Sequence, residues 1–188
     1  GCETEPTAIG LAGRQVRSLV NWPDGGGLYA GTIGEGVWRQ DGATWIAVNQ
    51  GLGNLKVWDL EVGPDNKLYA ATDGGVFVLT LLPPTTWVPM IEGLAGSALL
   101  VNDVVFDSTG LYIATWGSGA YRWDVNKWLP LGQEGLAGDA LLIWSLVVDT
   151  SSIYLGTGNG IYESTDAGLT WSPVALSGTH VTDFLDDG

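Results

Sequence analysis

The chain has 188 residues, 45% hydrophobic and 15% charged, a balance that belongs to a folded globular protein and excludes wholesale disorder. Seven Lys and Arg stand against 21 Asp and Glu; the formal net charge of −14 repels phosphate backbones and anionic lipid, so no nucleic acid is expected as a partner. No apolar run is long enough for a transmembrane helix, and a single cysteine excludes an internal disulfide or a thiolate metal cluster.

That cysteine is Cys2, followed by the polar stretch Glu3-Thr4-Glu5-Pro6-Thr7. The arrangement resembles the start of a mature bacterial lipoprotein, which makes Cys2 a lipidation candidate; the plainer reading is a free cysteine. Residues 1–10 read as a tether and a closing strand, because Pro6 to Leu11 matches Pro89 to Leu94 in spacing, with Gly10 opposite Gly93.

From residue 11 onward the sequence repeats itself. Leu28-Tyr29-Ala30-Gly31-Thr32 returns as Leu68-Tyr69-Ala70-Ala71-Thr72, Leu111-Tyr112-Ile113-Ala114-Thr115 and Ile153-Tyr154-Leu155-Gly156-Thr157, the tyrosines being 40, 43 and 42 residues apart. Trp45, Trp87, Trp128 and Trp171 step by 42, 41 and 43. Two markers keeping one period define copies at about 11–51, 52–93, 94–135 and 136–175, with a partial strand over 176–188.

The second copy shows the pattern inside one period. Val57 to Val62 alternates as an innermost strand, Pro64 to Lys67 turns, and Leu68 to Thr72 is the second strand. Asp73-Gly74-Gly75 makes a hairpin, Val76 to Thr80 a third strand, and Trp87 to Ile91 a fourth. Four antiparallel strands in about 42 residues is the size of a blade, so the expected fold is an all-β propeller of four complete four-stranded blades. Glycine pairs such as Gly117 and Gly119 or Gly158 and Gly160 fall in the hairpins and serve turns, since no helix follows for a phosphate loop. Trp38, Phe77, Tyr121 and Tyr162 share one site on the third strands, and with the Trp45 series are expected to fill the space between blades.

The last copy contains Ser164, Asp166, Gly168, Thr170 and Trp171 in the spacing S-x-D-x-G-x-T-W, the Asp-box pattern. This resembles the turn between third and fourth strands in the BNR-repeat propellers, a group that includes sialidases, sortilin-type receptors, xyloglucan-active glycoside hydrolases and photosystem II assembly factors. The resemblance implies a structural role for these five residues, away from any active face. The other copies depart from the pattern, with Asp41-Gly42-Ala43-Thr44-Trp45, Pro83-Pro84-Thr85-Thr86-Trp87 and Asp124-Val125-Asn126-Lys127-Trp128. The repeat as a whole is also similar to the sensor propellers of two-component regulators.

At the far end His180-Val181-Thr182-Asp183-Phe184-Leu185 repeats the innermost-strand pattern of Val57-Trp58-Asp59-Leu60. Strand fragments at both termini suggest a longer natural chain, a four-bladed ring with spare ends, or two chains completing each other. The first and last are favoured, the last giving a homo-oligomer through open blade edges.

Propeller ligands sit over the channel on the face made by loops between second and third strands. There the copies vary while their flanks repeat, which marks Glu35, Asp73, Trp116 and Asn159 as ligand-binding candidates, with Ile33, Ser97, Ser118 and Asp139 near them. No residue is expected to be catalytic: a sialidase-like site needs three arginines, and Arg39 and Arg122 fall at the ends of third strands, far from the channel. Asp59, Asp103 and Asp183 share one inner-strand position, with Ser18 and Ser145 in the other copies. Hydrogen bonds to neighbouring backbone are the expected use of these groups, ahead of calcium, so no metal and no cofactor are assigned. The expectation is a non-catalytic, extracytoplasmic binding or interaction propeller, secreted or lipid-anchored, taking a glycan or protein ligand. The alternative is a sialidase-like or other glycoside hydrolase of the Asp-box group.

Overall fold

The computed structural model describes residues 10–24, 26–81, 84–149 and 151–184. Cys2 and most of the N-terminal closing strand lie outside them, as does Leu185. Among the described residues sixteen strands form four antiparallel meanders, called blades I to IV: β1 (Val16–Trp22) to β4 (Thr44–Ala47), β5 (Val57–Val62) to β8 (Thr86–Met90), β9 (Val101–Asp107) to β12 (Lys127–Pro130), and β13 (Ile143–Val148) to β16 (Ser172–Ala175). Within each blade the strands pair in chain order. This is the expected propeller architecture, and in blade II the third strand begins one residue early, at Gly75 (β7, Gly75–Thr80).

The repeated second strands explain how the blades stack. Side chains alternate across a strand, so Leu68 and Ala70 of β6 (Leu68–Thr72) turn toward blade I and join a core with Trp22, Tyr29, Val37 and Phe77. Tyr69 and Ala71 turn the other way, into a core with Val104, Leu111, Ile113 and Trp128 of blade III. A third core between blades III and IV holds Tyr112, Ala114, Leu146, Leu155 and Tyr162. The small residue before the threonine is required by this stacking: a Cβ on Gly31 would lie 2.8 Å from Val57 Cγ1. Val181 and Phe184 crowd Gly156 as Val57 and Leu60 crowd Gly31, so residues 181–184 lie where the next inner strand would start. They form no ladder, although the Val181 amide donates to Thr157 O at 3.0 Å.

The closing threonine of each repeat is fully buried and ties its own hairpin. Thr32, Thr72, Thr115 and Thr157 donate through Oγ1 to the carbonyls of Gly36, Gly75, Gly119 and Gly160 at 2.6–2.9 Å.

The fourth-strand tryptophans do more than fill space. Trp87, Trp128 and Trp171 donate their indole N–H to the carbonyls of Val48, Met90 and Gly132 in the preceding blade, at 2.6, 2.7 and 2.8 Å. Their backbone amides donate to Gln50, Glu92 and Glu134, each at 2.8 Å. Gly51, Gly93 and Gly135 have φ of 82°, 89° and 94°, and a Cβ on any of them would strike the carbonyl oxygen of the tryptophan that grips it. Blades II, III and IV therefore each clasp the exit of the blade before them.

The links after β8 and β12 are longer than the link after β4 and contain 3-10 turns over Gly96–Leu99 and Gly138–Leu141. The sequence carries them as Gly93-Leu94-Ala95-Gly96-Ser97-Ala98-Leu99-Leu100 and its near copy from Gly135 to Leu142, too short for a helical period to show.

In the turn between β15 (Gly160–Ser164) and β16, Asp166 Oδ1 accepts the amides of Leu169 and Thr170 at 3.0 and 2.9 Å, and Oδ2 accepts the Thr170 hydroxyl at 2.7 Å. Ser164 Oγ donates to Asp166 at 2.7 Å and accepts the Gly168 amide at 2.8 Å. The bonds from the Thr170 amide and hydroxyl, then from Ser164, hold the Asp166 carboxyl down at about 2.

Two outcomes follow. Trp128→Phe removes the donor to Met90 and is expected to cost about 1–3 kcal/mol in urea unfolding, whereas Arg122→Ala on an exposed position should stay within about 0.5 kcal/mol; equal losses would contradict the clasp. Because Asp166 is depressed in the folded chain, its contribution is present above the ordinary carboxyl range and is lost as pH falls through about 2. Asp166→Ala should therefore melt lower than the parent at pH near 7, with the gap narrowing as pH approaches about 2 in parallel thermal scans.

Candidate functional site at the channel mouth

Every inner strand carries the same irregularity. The register with its neighbour slips by one residue between Val16 and Ser18, Val57 and Asp59, Val101 and Asp103, and Ile143 and Ser145. The extra residues are Arg17, Trp58, Asn102 and Trp144, and a bulge re-aims the side chain it carries. Together with Thr182, the next residue in the same repeat position, these four line two adjoining cavities. They form a ring across the channel, with one chamber on either side.

The outer chamber, about 630 Å³, opens between the loops that join second and third strands. Ile33, Asp73 and Trp116, each directly after a hairpin threonine, form its rim, and Gln15 and Leu100 complete the wall. Trp116 meets Trp144 edge to face, 4.3 Å between ring centroids at 78°. Trp58 donates its indole N–H to Asp73 Oδ1 at 2.7 Å, and Lys56 pairs with Oδ2 at 2.9 Å, so the Asp73 charge is already matched. Asn102 donates to Ile143 O at 2.8 Å and fixes the ring between blades III and IV. The Trp144 indole nitrogen is buried and has no acceptor among the described residues.

The inner chamber, about 210 Å³, is polar and lined by Asp59, Asp103, Ser145 and Asp183 below the ring. Asp59, Asp103 and Ser18, which holds the same position on β1, bind backbone across blades: Ser18 Oγ accepts the Leu60 amide at 3.0 Å, Asp59 the Val104 amide at 3.4 Å, and Asp103 the Leu146 amide at 2.8 Å. This is the backbone role expected for the position. Burial pushes Asp59 and Asp103 up from the ordinary carboxyl range, and burial with the nearby Asp59 charge brings Glu61 to about 7. Among the described residues no group of three or more His, Cys, Asp or Glu side chains is gathered to hold a metal ion.

Of the four candidates taken from the loops, Asp73 and Trp116 line the outer chamber. Glu35 and Asn159 do not. Glu35 bonds Arg14 at 2.7 Å, and the Arg14 guanidinium in turn lies 4.3 Å over the Trp38 ring. Asn159 reaches Tyr162 Oη at 3.0 Å and accepts the Gly178 amide at 3.1 Å, securing its own loop. Ser164, Asp166, Gly168, Thr170 and Trp171 make the turn described above and are absent from both channel cavities. The ring residues Arg17, Trp58, Asn102 and Trp144 escape sequence reading because strict alternation has no place for the extra residue. The usable signal is variation: they differ between copies while the Val or Ile before them and the Ser or Asp after them recur.

Neither a scan against protein-family models nor a search of the curated proteins finds a match. Solved structures do match. The extracellular domain of a proposed one-component system from B. thetaiotaomicron superposes with a TM-score of 0.70 at 19% identity over 100% of this chain. The extracellular domain of a proposed hybrid two-component system from the same organism gives 0.68 at 15% over 92%. A GH74 enzyme of Niastella koreensis gives 0.61 at 20% over 88%. This chain covers 25%, 26% and 30% of those three chains, and at such identities the likeness is one of propeller fold.

Proposed function

We propose that this chain is a non-catalytic binding propeller that works outside the cytoplasm and takes a glycan at the channel mouth. The observation that carries the reading is the convergence of Trp58, Trp116 and Trp144 on one chamber of about 630 Å³ with the amides of Asn102 and Gln15. Indole faces offer apolar area to a sugar ring while amides and the indole N–H bond its hydroxyls.

The carboxyl groups of the channel favour binding over hydrolysis. Glycoside hydrolysis needs two carboxyls about 5–10 Å apart across a scissile bond, whereas Asp59 and Asp103 are taken up by backbone amides of the next inner strand. A sialidase-like arginine cluster is also unsupported: Arg39 and Arg122 lie on third strands, Arg14 pairs with Glu35, and Arg17 alone lines the mouth. The extracytoplasmic setting draws on the structural likeness to extracellular domains and on Cys2 ahead of a polar stretch, which suits a lipid anchor.

Trp116→Ala is the direct test, because blades I, II and IV carry Ile33, Asp73 and Gly158 at that position and fold without a ring there. Retention on polysaccharide affinity gels should fall at least about tenfold, as for a central aromatic contact, with the melting temperature unchanged and no release of chromophore from aryl glycosides. Undiminished retention on the gels that bind the parent, or turnover of any glycoside, would overturn the reading. For the anchor, mass spectrometry of the N-terminal peptide after expression of the precursor in a bacterium should show a diacylglyceryl adduct on Cys2; an unmodified thiol would remove it.

A further inference from the structure

The charges at the channel mouth do not cancel. Asp73 on the rim is met within the chain, by Lys56 at 2.9 Å and by the Trp58 indole at 2.7 Å. Among the described residues Arg17 is the only cation that lines the outer chamber, and it lines the inner one as well. Arg14, Lys56 and Lys67 each pair with a carboxylate at 2.7–2.9 Å. Exposed Arg17 makes no ion pair among the described residues, although Asp59, Asp103 and Asp183 line the inner chamber with it. Two of those carboxyls are engaged elsewhere: Asp59 accepts the Ser18 hydroxyl and the Val104 amide, and Asp103 accepts the Leu146 amide. Nor does the fold ask for a cation at this point, since Trp58, Asn102, Trp144 and Thr182 hold the same repeat position.

We infer that the ligand of this mouth is an acidic sugar with one negative charge, a uronate or a sulfate ester, which Arg17 grips while the sugar ring rests against Trp58 and Trp116. This rests on the glycan reading above and adds the charge. A guanidinium forks to two oxygens of a single anionic group, a match that the compact ammonium of lysine does not make. The pair forms beside apolar indoles, where a charge is less screened than in open water. One charge is also the limit. Asp183 shares the inner chamber with Arg17, and the whole chain carries −14, so a polyanion is repelled as it approaches. The ligand that fits is a short acidic oligosaccharide or the charged end of a longer neutral chain.

An array of neutral, singly uronated and singly sulfated oligosaccharides tests the charge apart from the glycan reading. The parent should bind charged members above their neutral counterparts, and the set that binds tells whether Arg17 holds a carboxylate or a sulfate. Arg17→Gln should weaken those members at least about tenfold, the loss of a charge-assisted bond, with its melting temperature unchanged. Arg17→Lys, which keeps the charge without the fork, should fall between the two. Trp116→Ala should weaken charged and neutral members alike. Neutral members bound as well as charged ones, with R17Q equal to the parent, would overturn the acidic ligand and leave the glycan reading in place. An array on which the parent binds no member would overturn both.

Discussion

The clasp between each fourth-strand tryptophan and the link leaving the preceding blade is the interaction on which the rest of this structure depends. A blade is a small sheet whose faces are apolar on both sides, and it has no means of burying them alone. The paired bonds from Trp87, Trp128 and Trp171, one from the indole and one from the backbone, fix where each of their blades sits against the one before it. The positive φ of Gly51, Gly93 and Gly135 lets the link pass beneath the tryptophan carbonyl. Once that spacing is set, the alternation along Leu68-Tyr69-Ala70-Ala71 distributes side chains to two different cores.

Fixed blades make a variable channel affordable. The bulge in each inner strand places Arg17, Trp58, Asn102 and Trp144 outside the ladder and outside the three cores, so their identities are free to differ. The residues on either side are not free: Val57, Val101 and Ile143 are fully buried, and Ser18, Asp59 and Asp103 bond the next strand. Binding chemistry and folding chemistry thus alternate residue by residue along one strand, and a ligand at the ring rests on side chains that hydrogen bonds hold from behind.

The fold was legible in the sequence because its determinants repeat. The tyrosine and tryptophan periods mark the blades, and the turn residues locate β5 to β8 within one residue at the ends compared. The site was legible only in part. Asp73 and Trp116 follow directly on a hairpin threonine, so the variable position after a constant one points at the rim. Trp58 and Trp144 have no such marker, since a bulge leaves the composition of its strand unchanged and appears only in the pairing register. Glu35 and Asn159 lie in the same hairpins but farther past the threonine than the rim position held by Ile33 and Gly158, and Arg14 and Tyr162 bind them, partners that no repeat pattern encodes.

The central claim is that the ring is a binding surface carried by the fold and not required by it. Its most direct test is one protein in which Arg17, Trp58 and Trp144 are all replaced by threonine, the residue at the fifth equivalent position, Thr182, while Asn102 keeps its bond to Ile143 O. Thermal unfolding and polysaccharide retention are measured on the same preparation. The account predicts a cooperative transition close to that of the parent and loss of retention. Collapse of the fold, or retention equal to the parent, would contradict it.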